Sequence, residues 1–281
     1  ILHSLLSKFI LNQIFLAMQL SSRLLSIFFP GNAKHKAQRK LQQILFFALS
    51  KVSRSKSNAL LWANSQFELS PHALVSAFTQ GYVVFPNMRN HKIVEWLDPE
   101  VRGILPIDHF KMQEGLFKLL KKERTREVKE FDIKIDENFE ATIRACAEPR
   151  DVKAITWLSE DYINSTIQLH QMGIAHSVEA YKNGELVGGV VGVAINGYFM
   201  SLSLFHHVNN AGKVAFYYLM LKLKADGYKL HDLGMPNPWI QQFGMESLPK
   251  KDFKEALLRA ITTPLVFTHE VPVLELLSFA Y

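Results

Sequence analysis

Alternating apolar and polar residues between positions 174 and 233 give the clearest pattern in the chain. Three runs rich in β-branched and aromatic residues are expected to be strands, because such residues favour a pleated sheet: Ala175–Tyr181, Leu186–Ile195 and Tyr198–Phe205. The dipeptides Asn183-Gly184 and Asn196-Gly197 separate these runs, and Asn-Gly is the strongest short-range signal for a tight hairpin turn. The segment therefore predicts an antiparallel meander.

A helix and a further strand are predicted after the meander. The helix opens at Asn209-Asn210-Ala211-Gly212-Lys213 and ends at Gly227, and Lys229–Leu233 has the composition of a strand. Backbone N–H groups at the start of such a helix are free to bind an anionic group. The predicted order is therefore a group of strands, then a strand, a polar loop, a helix and a further strand. This order is typical of a GNAT-type acyltransferase core.

The region before the meander has mixed α and β patterning. Ser70-Pro71 signals a helix start, with Ser as N-cap and Pro in the first turn, and Gly81 signals its end. Short extended pieces over 82–110 are broken at prolines. Helices are then predicted at about 111–123, 137–148 and 161–172, and a strand at about 130–135.

Residues 1–29 lack Gly and Pro and place polar residues along one helical stripe. A membrane span needs about 20 apolar residues, and the stretch between Lys8 and Arg23 is shorter and contains amides. An interfacial amphipathic helix fits this pattern better than a span. A second helix is expected near 37–51, followed by a Ser-rich linker. A helical extension packed on the body, or a targeting segment, explains the pattern equally well.

These elements predict an α+β protein in three parts. Residues 1–57 form a basic amphipathic helical extension, residues 58–150 a small mixed α/β domain, and residues 151–281 a GNAT-like acyltransferase domain. The apolar stretch 262–281 is expected to add an edge strand and a helix to the last domain. At 281 residues the chain is long enough to bury a sizeable core.

Charge is distributed unevenly. Residues 1–67 hold nine cations and no acid, so the remainder has 32 − 9 = 23 cations against 26 acids. Clustered cations gain from counterion release at phosphates, and Lys34, Lys36, Arg39 and Lys40 are therefore candidate contacts with a polyanion. The single cysteine, Cys146, excludes an internal disulfide and a multi-thiolate metal site, and favours a reducing compartment.

Particular residues resemble the core signature of bacterial leucyl/phenylalanyl-tRNA-protein transferases. The signature comprises Leu169-His170, Gly173-Ile174-Ala175-His176-Ser177-Val178-Glu179, Gly184-Glu185-Leu186-Val187-Gly188-Gly189 and Gly192-Val193. Supporting matches upstream include Trp96, Arg102-Gly103-Ile104-Leu105 and Thr156-Trp157. Downstream matches include Ser203-Leu204-Phe205, Asn210-Ala211-Gly212-Lys213, Leu230-His231-Asp232, Asn237 and Phe243-Gly244. The similarity runs in one register from about residue 60 to residue 260.

The resemblance implies transfer of Leu or Phe from aminoacyl-tRNA to the N-terminal Arg or Lys of an acceptor protein, which marks that protein for degradation. The implied chemistry is an ester-to-amide exchange that requires no metal or cofactor. It also implies a cytoplasmic location. The N-terminal segment leaves open an organellar or membrane-associated location, with membrane-surface contact through residues 1–29.

Asp232 matches the family's essential acid, and the resemblance implies that it orients the incoming amine. The alternative is a carboxylate that caps the next turn. Trp96 and Trp157 match positions near the terminal adenosine of the tRNA, where an indole can stack on a base. The alternative for both is an ordinary core position.

The resemblance assigns the remaining site residues to the pocket, to substrate contacts and to the tRNA. The pocket for the transferred side chain maps to Val190, Phe199, Phe216, Leu223 and His231. Ser203 and Asn237 are further substrate-binding candidates. The candidate tRNA contacts are Asn210, Lys213 and the cations Lys34, Lys36, Arg39 and Lys40. His176 and Glu179 are expected to orient one another, or else His176 is a buried histidine with satisfied hydrogen bonds.

Two residues depart from the family pattern. Leu202 stands where the family has an acid that is expected to pair with the donor's α-ammonium, and Ser201 and Ser203 flank it. Gly234 stands where the family has a Gln, and the resemblance implies that this Gln helps to relay a proton or to hold the tetrahedral intermediate. Three hypotheses follow: an aminoacyltransferase with altered donor handling, a related acyltransferase with a different donor, and a non-catalytic relative that binds tRNA or a membrane.

Overall fold

The computed structural model describes residues 69–86, 94–125, 129–149 and 156–275. These residues belong to one compact unit. The expected N-terminal helices and the cations Lys34, Lys36, Arg39 and Lys40 lie outside the described residues. The three-part division therefore stays a prediction.

Two sheets are present in the described part of the chain. Strands β1 (Val83–Pro86) and β2 (Val94–Leu97) form a small antiparallel hairpin. The large sheet has seven strands in the order β4-β5-β6-β7-β8-β3-β9. Its strands are β3 (Val101–Ile104), β4 (Asp132–Ile135), β5 (Ala175–Lys182), β6 (Glu185–Ile195), β7 (Tyr198–His206), β8 (Leu230–Asp232) and β9 (Glu246–Pro249). The sheet thus takes strands from both sides of residue 150.

Seven helices accompany these strands in the same described ranges. They are α1 (Pro71–Thr79), α2 (Glu114–Thr125), α3 (Phe139–Ala147), α4 (Glu160–Gln171), α5 (Ala211–Asp226), α6 (Pro238–Gln241) and α7 (Lys250–Ile261). Side chains cap several of them as the sequence predicts. The Oγ of Ser70 accepts from the N–H of Ala73 at the start of α1, for example. The mixed α and β class is confirmed.

Helices cover both faces of the large sheet. A Cβ added to Gly188 would lie 2.6 Å from the Cβ of Ala211 in α5, and one added to Gly189 would lie 2.8 Å from Cγ2 of Thr142 in α3. Neighbouring residues on a strand point to opposite faces, so α5 and α3 lie on opposite sides. The buried core gathers around α5, where Val214, Phe216 and Leu223 are inaccessible or nearly so.

Both predicted hairpins are confirmed. At the first turn Asn183 and Gly184 have φ of 54° and 82°, the left-handed values that a tight turn between twisted strands requires. At the second turn Asn196 has φ of 51°. The N–H of Gly197 donates to the carbonyl oxygens of Ala260 and Thr263, which ties the turn to the end of α7.

The meander is antiparallel, whereas β7 and β8 are parallel and are connected through α5. Their register aligns Tyr198 with Leu230, Phe199 with His231 and Met200 with Asp232. Strand β7 also contains a β-bulge, because Val191 pairs with Ser203 and Gly192 pairs with Ser201. Leu202 is the extra residue of this bulge.

The expectation of an edge strand and a helix after residue 261 is wrong for residues 262–275, which are irregular. Pro264 and Pro272 interrupt backbone hydrogen bonding there. Side chains anchor the segment instead. The ring of Phe267 stacks on His176 with centroids 4.4 Å apart, and the hydroxyl of Tyr217 donates to the carbonyl oxygen of Glu275 at 2.6 Å.

Candidate active site

A cavity of about 320 Å³ lies where strand β8 ends beside the longer strand β7. The β7–β8 pairing stops at Met200 and Asp232, while β7 continues to His206. The chain after β8 turns at Gly234, whose φ of 77° suits glycine. Clefts beyond the carboxyl ends of parallel strands are common ligand sites, and the volume lies within the range of small-molecule pockets.

The cavity wall is mainly apolar, and none of the described residues that line it carries a formal charge at neutral pH. Its hydrogen-bonding side chains are those of Ser201, Ser203, Asn237, Tyr162 and Trp157. The remaining wall is formed by Val83, Val84, Val190, Met200, Leu202, Leu204, Phe216, Leu233, Gly234, Met235, Pro236 and Ile240. A branched or aromatic side chain therefore fits this space better than a charged one.

Asp232 lies at the end of β8 but does not expose its carboxylate to the cavity. Arg102 donates to it through Nε and Nη2 at 2.8 and 2.7 Å, the hydroxyl of Tyr198 donates at 2.6 Å, and the N–H of Gly234 donates at 2.8 Å. A carboxylate has about four acceptor positions, and these four bonds occupy them. Asp232 is fully buried, so the expected direct contact with an incoming amine is not the arrangement seen.

The groups around Asp232 are held in fixed protonation states. Burial alone would lower the pKa of Arg102, but the Asp232 carboxylate outweighs it and raises that pKa. Burial and the same carboxylate raise the pKa of Tyr198 well above its ordinary value. The guanidinium also lies over the ring of Phe253, 4.7 Å from its centroid. Asp232 thus fastens β8 to β3 and to the loop that forms the cavity wall.

His231 points to the opposite face of β8, toward α5. Its Nε2 is 2.8 Å from the Oγ of Ser201 and its Nδ1 is 3.2 Å from the Sδ of Met220. Burial lowers the pKa of His231 to about 3, against the smaller opposing influence of Asp232. The imidazole is therefore neutral near pH 7.

The family model described as Leucyl/phenylalanyl-tRNA protein transferase matches residues 104–258. A Chlorobaculum tepidum protein named leucyl/phenylalanyl-tRNA--protein transferase is 36% identical over 194 residues, covering 69% of this chain and 96% of the relative. A Gloeobacter violaceus protein of that name is 33% identical over 199 residues, covering 71% of this chain and 97% of the relative. The chain belongs to the leucyl/phenylalanyl-tRNA protein transferase family.

The family resemblance stated from sequence is thus confirmed. The family match starts at the last residue of β3 and ends within α7, so it includes Asp232 and the described cavity wall apart from Val83 and Val84, and it begins two residues after Arg102. Among solved structures, L-PGS from Bacillus licheniformis matches with a TM-score of 0.33 and 13% identity, over 61% of this chain and 53% of that chain. A similarity this low gives no information about the site.

The structure brings five of the transferase-site candidates to the cavity wall: Trp157, Val190, Ser203, Phe216 and Asn237. Leu202 and Gly234, where this chain departs from the family pattern, also lie on the wall. Phe199 on β7 and Leu223 on α5 are instead buried in the core. His231 does not line the cavity; it contacts Ser201, which does.

The remaining candidates lie away from the cavity. Trp96 sits on β2, opposite Val84 of β1, and it is Val84 that lines the wall. Lys213 donates from Nζ to the Oε1 of Gln113 at 2.8 Å. Asn210 precedes α5 with φ of 68° and makes no side-chain capping bond. A Cβ on Gly188 would lie 2.7 Å from the nitrogen of Gly212, so β6 covers the helix start where an anion site was expected.

His176 and Glu179 do not orient one another. His176 bonds through Nδ1 to Oδ2 of Asp136 at 2.7 Å. Glu179 accepts from the Oγ of Ser177 and the hydroxyl of Tyr181, at 2.7 and 2.8 Å, and from the N–H of Asn138. Three residues apart on a strand, the two side chains point to opposite faces. The alternative of a buried, satisfied histidine fits His176.

The sequence predicts no site role for Val83, Val84, Tyr162 and Ile240 on the wall or for Arg102 behind it. These residues come from four separate elements. Arg102 lies in a stretch that matches the family pattern, but no local pattern indicates that any of the five lies at the cavity. In the described ranges no group of three or more His, Cys, Asp or Glu side chains is placed to hold a metal ion. No helix within those ranges has the length and hydropathy of a membrane span.

Proposed function

We propose that the protein is an aminoacyltransferase that moves Leu or Phe from aminoacyl-tRNA to the N-terminal Arg or Lys of an acceptor protein. Membership of the transferase family supports the reaction class. The observation that carries the proposal is the uncharged cavity between β7 and residues 233–237, which has the volume and polarity to hold a Leu or Phe side chain.

The reaction exchanges an ester for an amide. The attacking α-amino group has an unperturbed pKa of about 7.7–8.0, so a useful fraction is already neutral near pH 7. Holding the amine and the ester carbonyl in attack geometry supplies several kcal/mol of the barrier. The apolar wall fixes the donor side chain, and that fixes where the ester carbonyl stands.

In this proposal Asp232 acts as a positioning residue. Its bonds to Arg102, Tyr198 and the N–H of Gly234 hold the turn that carries Leu233 and Gly234 on the cavity wall. Trp157 is the better candidate for stacking on the terminal adenosine, because it lines the cavity whereas Trp96 does not.

The fold supports a GNAT-type assignment as part of the same proposal. The β7–α5–β8 crossover gives one parallel pair in a mostly antiparallel sheet, and the donor cavity lies where that pair separates. We also propose a cytoplasmic location, in keeping with a tRNA-linked substrate and a single cysteine. The nine cations of residues 1–67 support tRNA contact there, and the stripe in residues 1–29 supports contact with a membrane surface.

A second candidate is an acyltransferase with a different donor. Leu202 lies on the cavity wall, and no described lining residue offers a carboxylate to an α-ammonium. An acyl group without a charged amine would fit this wall as well as an aminoacyl group.

The test is transfer of labelled Leu from Leu-tRNA to a peptide that begins with Arg, with a peptide that begins with Ala as the comparison. Phe216→Trp adds ring volume to the cavity and is expected to lower kcat/KM for Leu-tRNA at least tenfold. Tyr218→Trp is the matched control, since Tyr218 is on the same helix but does not line the cavity. Absence of labelled Arg peptide with the wild-type protein would contradict the proposal.

A further inference from the structure

Ser201 and His231 meet at the inner wall of the cavity. His231 is directly opposite Phe199 in the β7–β8 register, and Ser201 lies two residues beyond Phe199 on the same face. This places the Oγ of Ser201 at 2.8 Å from Nε2 of His231. Ser201 itself lines the cavity, whereas His231 is buried behind it.

The surroundings of His231 determine which way the Ser201 hydroxyl points. Nδ1 faces the thioether sulfur of Met220, which has no proton to give, so we assign the imidazole proton to Nδ1. The lone pair is then on Nε2, and the hydroxyl of Ser201 donates to it. The lone pairs of the Ser201 oxygen are thereby left for a hydrogen-bond donor in the cavity.

Charged groups near this pair do not reach the cavity. The charged neighbour of His231 is Asp232, which is ion-paired with Arg102 on the other face. Tyr162 is the titratable residue on the described wall, and burial raises its pKa far above neutral. An α-ammonium group entering the cavity would lose hydration without gaining a counter-charge, and this favours its neutral form.

We propose that Ser201, held by His231, receives the uncharged α-substituent of the donor acyl group, so that the enzyme selects donors with a neutral amino or hydroxyl group at that carbon. This inference rests on the proposed function, because it takes the acyl side chain to fill the cavity. The α-substituent is attached to the same carbon as that side chain, so it lies at the wall. Ser201 is then a substrate-binding residue and His231 its positioning residue.

The test compares two stable donor analogues that differ at one atom: adenosine joined through a 3′-amide to phenylalanine, and the same compound made with phenyllactate. Dissociation constants are measured with the full chain by calorimetry at pH 6 and pH 8. The phenyllactyl analogue is expected to bind equally at both pH values. The phenylalanyl analogue is expected to bind at least tenfold more weakly at pH 6, because its amine is then protonated.

Variants separate the hydrogen bond from the general polarity of the wall. Ser201→Ala is expected to weaken both analogues about tenfold at pH 8, as the loss of one hydrogen bond implies. His231→Leu is expected to weaken them similarly, and His231→Gln, which retains an acceptor, to restore part of the loss. Ser247→Ala is the matched control, because it removes a hydroxyl from exposed strand β9, outside the cavity wall, and is expected to leave both dissociation constants unchanged.

Three results would overturn the inference: tighter binding of the phenylalanyl analogue at pH 6 than at pH 8, unchanged binding in Ser201→Ala, or no binding of either analogue. These measurements do not need turnover. If the analogues bind as expected but no peptide is labelled in the transfer assay, the proposed reaction fails while the assignment of Ser201 stands.

Discussion

Arg102 and Asp232 are 130 residues apart in the chain and form a buried ion pair with two hydrogen bonds, of 2.8 and 2.7 Å. The same guanidinium donates to the carbonyl oxygen of Gly81 at 3.2 Å and covers the ring of Phe253. One pair therefore connects β3, β8, α7 and the turn after α1. The residue that the family resemblance implies to be the essential acid is thus also part of a contact that joins several elements of the described fold.

Asp232→Asn is expected to destabilise the protein by about 3–5 kcal/mol, because it leaves the Arg102 charge buried without its partner. Tyr198→Phe removes one hydrogen bond to the carboxylate and is expected to cost about 1.5–3 kcal/mol. Urea unfolding of each variant measures these differences. Equal stability of Asp232→Asn and the wild type would contradict the structural role of the pair.

Loss of transfer in Asp232→Asn alone therefore does not identify a chemical role. The double variant Arg102→Met with Asp232→Leu removes both charges, and such exchanges are often close to neutral for stability. If this double variant folds and transfers at the wild-type rate, Asp232 is dispensable for positioning as well as for chemistry. We expect it to fold and to lose most of its activity, because the turn at Gly234 loses its anchor.

Leu202→Asp is expected to reverse the donor preference at pH 6. The new carboxylate would face the cavity from the β-bulge and offer a counter-charge to an α-ammonium. The phenylalanyl analogue should then bind more tightly than the phenyllactyl analogue at pH 6, as measured by calorimetry. Leu202→Asn, which has nearly the same shape without the charge, is the control and should keep the wild-type order.

Gly188→Ala is expected to displace α5 from the sheet. The added methyl group would lie 2.6 Å from the Cβ of Ala211 and 2.7 Å from the nitrogen of Gly212, and backbone atoms cannot move aside cheaply. Overpacking of this kind costs about 1–3 kcal/mol. A fall in Tm checks the prediction. Gly115→Ala is the control, since a Cβ there would meet nothing within 4 Å.

Local signals predicted the elements well. The Asn-Gly turns, the caps at Ser70 and Gly227 and the alternation over 175–205 each depend on neighbouring residues, and the structure shows the corresponding helices and hairpins. The prediction of a strand and a helix after residue 261 is wrong because apolar content alone does not distinguish regular structure from an irregular segment. Here the segment is held by the contacts of Phe267 with His176 and of Glu275 with Tyr217.

Contacts between residues far apart in the chain could not be predicted from the sequence. The insertion of β3 between β8 and β9 depends on few ladder pairs, and nothing near Arg102 identifies Asp232 as its partner. The Ser201–His231 pair exists because the parallel register aligns Phe199 with His231. The family resemblance implied site roles for five residues that line the cavity. It implied none for Val83, Val84 and Tyr162, which reach the wall only through long-range packing.

His231 is expected to make the stability of the protein fall as the pH is lowered from 7 to 5. Its pKa is about 3 in the folded state, because of burial, and about 6.5 in the unfolded chain. Between these values the unfolded chain binds a proton that the folded protein does not, so acidification favours unfolding. The contribution at pH 5 is about 2 kcal/mol. Urea unfolding at pH 7, 6 and 5 should show this loss in the wild type.

The same series in His231→Gln isolates the histidine. This variant has no titrating group at 231, so its stability relative to the wild type should rise by about 2 kcal/mol between pH 7 and pH 5. Burial also lowers the pKa values of His72 and His170, and these groups remain in both proteins and cancel in the comparison. Ser203→Ala should keep the wild-type slope. Parallel stability curves for the wild type and His231→Gln would show that His231 takes up its proton in the folded protein, and the neutral Ser201–His231 pair would then be wrong.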